Sequence, residues 1–143
     1  MSGTLIDTNI LIYAFSADMA DPRSAAAKSV MNHAASTGSY CVSLQVLSEF
    51  SAFFLNKAAP RLAPARVKQA LGHIRALCRV LSADSGTVDL ALDAVERHSM
   101  SFWDALIWGV AKENGVEVIL SEDMQDGQVI EGVRIRNPLR GAP

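Results

Sequence analysis

Aromatic side chains are scarce in this chain, 6% of its 143 residues, so its interior must rest on Ala, Val, Leu and Ile, as expected of an α/β core. Cysteine is scarcer still. Cys41 and Cys78 lack the spacing of a zinc site or a redox motif, and they read as small buried hydrophobes in a reducing cytoplasm. No long apolar run exists either: the longest, Ala105 to Ala111, is far too short to span a bilayer. The chain enters Thr4-Leu5-Ile6-Asp7 with no basic leader and no apolar leader segment, so no targeting peptide is expected. Acid is missing from one long stretch. Between Ser51 and Ala83 there is no Asp or Glu, while Lys57, Arg61, Arg66, Lys68, Arg75 and Arg79 all fall there.

That gap matters because the net charge, −2, argues by itself against a nucleic-acid partner. An acidic protein can still turn one basic face to phosphates. The competing explanation is an ordinary solvated helix surface. The length fits one domain, residues 1–143, able to bury roughly two thirds of its unfolded surface without staples.

Helical and strand patterns alternate, which predicts βαβ units and a parallel sheet. The strands expected are Thr4–Ile6, Tyr40–Val42, Val80–Leu81, Val116–Leu120 and Val133–Ile135. Helices are expected over Asn9–Phe15, Pro22 to about Ala35, Ser43 to about Asn56, Ala65–Cys78, Thr87–His98 and Ser101–Asn114. Pro22 suits a first helical position, Ser43 a cap, and Gly38 and Gly115 suit helix ends. Asp126-Gly127 reads as a turn.

Four acids stand out by position. Asp7 leaves an apolar strand, and sites in open α/β sheets lie beyond the carboxyl ends of strands; the alternative is a helix cap. Glu49 is three and four residues from Val46 and Phe53, beside Phe50, against an apolar stripe where an unpaired carboxylate is costly. Its alternative is a rim position reaching water. Asp104 follows Ser101 by three, the spacing of a capping box, yet lies beside the stripe Phe102, Ala105, Leu106, Gly109 and Val110. Asp123 follows the strongest strand; its alternative is a polar surface loop. A parallel sheet would gather these points at one edge. Carboxylates so gathered stay ionised only with a cation, and an oxygen-rich set selects Mg²⁺ or Mn²⁺. His33, His73 and His98 share no metal-ligand spacing.

These residues carry a resemblance. Leu5-Ile6-Asp7-Thr8-Asn9-Ile10-Leu11-Ile12-Tyr13-Ala14 resembles the opening of PIN-domain proteins, in particular VapC-type toxins of bacterial toxin–antitoxin pairs. Leu47-Ser48-Glu49-Phe50, Ser101 to Ile107 and Ser121 to Gly127 resemble the three later acidic motifs, and Val133 to Pro138 the closing strand. The resemblance implies a three-layer α/β/α sandwich on a five-stranded parallel sheet. It implies Mg²⁺- or Mn²⁺-dependent RNA cleavage leaving a 5′-phosphate, a homodimer, and a cognate VapB-type antitoxin. Asp7 and Asp104 would be the principal metal ligands, with Glu49 and Asp123 completing the set. Ser121 would support the ligands, Asn9 would order the first loop, and Asp126 would shape the turn or act as an outer ligand. Lys57, Arg61, Arg66, Lys68 and Arg75 would meet the RNA backbone.

Two rivals are distinct. A haloacid-dehalogenase-like, metal-dependent phosphatase also places an Asp after its first strand, but its pattern resembles Asp-x-Asp, and here Asn9 stands at the second place. A PIN-like module that binds RNA or protein without cutting it would need no metal chemistry.

Overall fold

A computed structural model describes residues 3–18 and 20–140. Six strands form one sheet: β1 (Thr4–Ile6), β2 (Tyr40–Ser43), β3 (Arg79–Leu81), β4 (Val118–Leu120), β5 (Val129–Ile130) and β6 (Val133–Arg136). Six helices accompany them: α1 (Thr8–Ala14), α2 (Pro22–Thr37), α3 (Leu44–Asn56), α4 (Pro64–Leu77), α5 (Ser85–His98) and α6 (Phe102–Glu113). The sheet order is β3-β2-β1-β4-β6-β5. The five expected strands all pair in parallel, with Leu5 beside both Cys41 and Ile119, and Ile119 beside Ile135. The sixth, β5, was not expected; it runs antiparallel to β6.

Local chemistry explains the boundaries. The carboxylate of Asp21 accepts from the Arg23 amide ahead of Pro22, and Gly38, at φ 68°, closes α2 in the left-handed region open to glycine. Ser43 leaves β2 and caps α3 by accepting from the Val46 amide. Asp84 and Thr87 form a reciprocal capping box, so α5 begins at Ser85, two residues earlier than expected, and takes Gly86 inside.

The sandwich forms because both faces of the sheet are apolar. All four residues of β2 are buried, as are Leu5, Ile6, Ile119, Leu120 and Ile135. Helices α1 to α4 pack among themselves, while α5 packs on α6. That second contact is close at Gly109: a side-chain carbon added there would lie 3.4 Å from the Thr87 methyl. Trp108 is fully buried beneath the pair and donates its indole N–H to the Ile130 carbonyl. Among the described residues no helix is long and apolar enough to cross a membrane.

The strand order reverses direction between β1 and β4, which are neighbours although more than a hundred residues apart. A crevice must open where the chains leaving those two strands diverge. Asp7 is the first residue beyond β1 and Ser121 the first beyond β4, and the Asp7 amide donates to the Leu120 carbonyl.

Candidate active site

At that crevice lies a cleft of ≈ 460 Å³ walled by the start of α1, by α3, by the start of α6 and by Asp123. Asp7, Glu49, Asp104 and Asp123 all line it, from four separate segments. Their environments differ.

Asp7 is 4% exposed. It caps α1 by accepting from the Thr8 amide at 2.7 Å, and it accepts from the Ser121 hydroxyl at 2.7 Å. Burial pushes its pKa from the ordinary 3.8 up to about 6; the hydrogen bonds from Ser121 and Thr8 oppose that rise, while the charges of Glu49 and Asp104 add to it. The cap and the site are therefore the same carboxylate.

Glu49 is exposed at the rim, which corrects its expected place against the apolar stripe. The buried stripe of α3 is Val46, Leu47, Phe50 and Phe54, and Glu49 points off its edge. Its carboxylate accepts from the Thr8 hydroxyl at 2.8 Å. Asp104 is half-buried in the first turn of α6. Ser101 accepts from its backbone amide, but no return bond from the Asp104 carboxylate forms, so only half of the expected capping box exists. That leaves the carboxylate turned to the cleft without a hydrogen-bond donor among the described residues. Asp123 is exposed, and Asn9 donates to it at 3.0 Å.

Asn9 and Ser121 join the segments. The Asn9 side-chain amide bonds Asp123, lies 3.4 Å from Asp7, and through its oxygen accepts from the Glu122 amide. Ser121 is fully buried; its hydroxyl donates to Asp7 and accepts from the amides of Asp123 and Met124. Thr8, which holds Glu49, was missed by sequence reasoning, because a threonine after a capping Asp carries no signal of its own. Tyr13 was missed too: its hydroxyl donates to Glu122, and the Arg23 guanidinium lies 4.6 Å over its ring.

Asp126 does not line this cleft. Its carboxylate accepts from the Asn137 amide and pairs with Arg140, which makes it a fastener of the turn. Of the basic residues only Lys57 reaches the cleft; Arg61, Arg66, Lys68 and Arg75 are exposed in the segment beyond it and along α4.

Among the described residues, no three Asp, Glu, His or Cys side chains stand close enough to hold a metal ion as they are positioned. Thr8 and Asn9 hold Glu49 and Asp123 by hydrogen bonds instead. The donor chemistry nevertheless fits a hard divalent cation: four carboxylates line the cleft, and neither thiol nor imidazole does.

The family model for the PIN domain matches residues 4–125. Among solved structures, a toxin–antitoxin complex from Klebsiella pneumoniae aligns with a TM-score of 0.67 at 18% identity, covering 95% of this chain and 98% of that one. DNA-bound VapBC from Salmonella typhimurium gives 0.65 at 21% identity, covering 96% and 99%. VapC20 from Mycobacterium tuberculosis, described as a sarcin–ricin loop cleaving toxin, gives 0.64 at 22% identity, covering 85% and 92%. No protein of curated function matches the sequence.

Proposed function

Because the chain belongs to the PIN-domain family, we propose that it is a Mg²⁺- or Mn²⁺-dependent endoribonuclease, folded as a single nuclease domain, and the toxin of a VapBC-type toxin–antitoxin pair. One observation carries the proposal: four carboxylates from four segments line a single cleft at the sheet's switch point. Four segments meeting on one negative cleft are hard to explain as caps and surface loops.

Asp7 and Asp104 would hold the ion, with Glu49 and Asp123 completing its oxygen set. The chemistry such an ion supplies is neutralisation of phosphate charge and a water acid enough to ionise near neutral pH. The remaining work belongs to the chain. Ser121 and the Thr8 amide fix the direction of Asp7. Thr8 and Asn9 keep Glu49 and Asp123 beside it. Lys57 at the cleft meets the phosphodiester backbone, and the acid-free stretch beyond it adds affinity without sequence information.

The partners proposed are RNA, a VapB-type antitoxin and a second copy, in the cytoplasm. Support comes from the solved VapBC complexes and from one groove whose walls include two exposed apolar side chains, Leu44 at 70% and Trp103 at 60%.

The test is cleavage of RNA by the purified chain with Mg²⁺, repeated with a chelator and with Asp7→Asn and Asp104→Asn. Cleavage lost in all three controls is expected. A second reading, a PIN-like binder that does not cut, is favoured by the spacing of the acids as they stand. RNA binding with no Mg²⁺-dependent cleavage, and no Mg²⁺ binding by calorimetry, would establish it.

A further inference from the structure

Asp123 stands on irregular chain: residues 121–128, between β4 and β5, form neither helix nor strand. Its exposed carboxylate has one side-chain donor among the described residues, Asn9, and exposed loops ordinarily move. A second set of ties reaches the same loop through Glu122. The Tyr13 hydroxyl donates to Glu122 Oε1 at 2.9 Å, and Arg23 Nη1 lies 3.7 Å from Glu122 Oε2. The guanidinium is itself fixed. Its Nε and Nη2 donate to the two carboxylate oxygens of Asp21 at 3.1 and 2.9 Å, and it lies 4.6 Å over the Tyr13 ring. Asp21 in turn is the cap of α2. Burial, and then the neighbouring Glu122, hold the Tyr13 phenol above its ordinary 10.0, so it keeps its proton throughout the neutral range.

Stability alone would not select this arrangement. An ion pair at 3.7 Å, with Arg23 half exposed, contributes little to folding. Geometry explains it better. Asn9 and Tyr13 are four residues apart on α1 and share a face. Asn9 grips the Glu122 amide and the Asp123 carboxylate, and Tyr13 grips the Glu122 side chain. Consecutive α-carbons are a fixed distance of about 3.8 Å apart, so a handle on Glu122 limits where Asp123 can stand. A ligating group binds well only when kept within about 0.5 Å of its place. Neither Tyr13 nor Arg23 lines the acidic cleft, so each acts through Glu122 rather than on a bound ion. We infer that Tyr13 and Arg23 are positioning residues, which through Glu122 set where the Asp123 carboxylate stands and so how tightly the cleft holds a divalent cation. The inference rests on the metal-site reading for its consequence, while the placing of Asp123 itself needs no metal.

The experiment uses the full chain and two variants. Tyr13→Phe removes one hydroxyl, keeps the ring under Arg23 and changes no charge. Arg23→Gln removes the cation and leaves the backbone amide that Asp21 caps. The first readout, in metal-free protein, is the NMR signal of the Asn9 side-chain amide, which reports its bond to Asp123. Both variants should move it. The Trp108 indole signal, from a bond to the Ile130 carbonyl, should stay as in the parent and show the fold intact. The second readout is affinity for Mn²⁺ alone, by calorimetry. Tyr13→Phe should weaken it about fivefold, somewhat less than the loss of a residue that touches the ligands themselves. Arg23→Gln separates positioning from charge. Removing a cation near the cleft would tighten Mn²⁺ binding if charge alone mattered, and should instead weaken it about fivefold. With RNA, the loss should appear in kcat and leave KM unchanged. The inference is overturned if the Asn9 signal does not move in Tyr13→Phe, if that variant binds Mn²⁺ as the parent does, or if Arg23→Gln binds it more tightly. Should the parent bind no Mn²⁺, the metal-site reading fails alone, and the Asn9 signal decides this one.

Discussion

Replacing Asp7 with Asn should stabilise the metal-free fold at neutral pH while destroying its proposed activity. Asp7 is 4% exposed, and its pKa rises from 3.8 to about 6 because burial penalises the charged form. A rise of roughly two units corresponds to about 3 kcal/mol at ~1.4 kcal/mol per unit. The sign follows from proton binding: between those values the folded state holds more protons than the unfolded one. The group's stabilising contribution is therefore complete below pH about 4 and is lost as pH rises through about 6. Asparagine removes the charge and can still accept from the Thr8 amide, but its NH₂ faces a Ser121 hydroxyl that now donates to Asp7, a loss of about 1 kcal/mol. The net gain at pH 8 is about 2 kcal/mol, a rise in Tm of roughly 6 °C for a chain of this size. Thermal melts in chelator from pH 4 to 8 measure it. The gain should shrink as pH falls and turn into a deficit of about 1 kcal/mol below pH 4, where only the lost Ser121 bond remains, and Mg²⁺ should reverse the ranking at pH 8 by stabilising the parent alone, by about 2.7 kcal/mol at a hundredfold excess over Kd. A variant less stable than its parent at pH 8 without metal, or a difference indifferent to pH, refutes the reasoning.

Thr8→Val frees Glu49 from its only donor among the described residues; activity should fall about fivefold with the melting point unchanged, as steady-state kinetics would show. Asn9→Ala breaks the bridge between the α1 and β4 segments, and calorimetry should record Mg²⁺ affinity reduced about 10- to 100-fold, as for other residues that orient ligands. Lys57→Ala should weaken RNA binding evenly across sequences and lower the slope of log affinity against log salt by about 0.7, measured by titration at several salt concentrations. Burial pushes the Cys41 thiol up to about 11 and the Cys78 thiol up to about 12, so both should resist alkylation at pH 8 in the native state and react on unfolding, as mass spectrometry would register.

The five parallel strands and six helices were legible because each carries periodic apolar residues between capping or breaking residues. Strand β5 was not. It is two residues long with Val129 half exposed, and its hairpin turns on Glu131 and Gly132, both at positive φ, without the Asn-Gly pair that usually marks such a turn. Val116 was counted as strand but is held by the Ala111 carbonyl at the exit of α6, two residues short of β4. The acids at the strand ends were visible because topology alone brings them to one edge. The ties between them were not, since a hydroxyl such as that of Thr8 or Ser121 finds its partner only in three dimensions. The apolar neighbours of Glu49 did not reveal its exposure, because Val46, Phe50 and Phe54 turn to the core and leave Glu49 on the flank of their stripe.

The pairing of β1 with β4 also orders events during synthesis. Asp7 is synthesised more than a hundred residues before the strand that completes the middle of the sheet. Until then β1 has an open edge where β4 belongs, and Ser121 is not yet there to orient Asp7. A ribosome-bound fragment ending before β4 can form helices and the β1–β2–β3 half of the sheet, yet it lacks the neighbour that aims the first carboxylate. The acidic cleft therefore cannot close until β4 and Ser121 have left the ribosome, so its carboxylates are brought together long after the first of them is made.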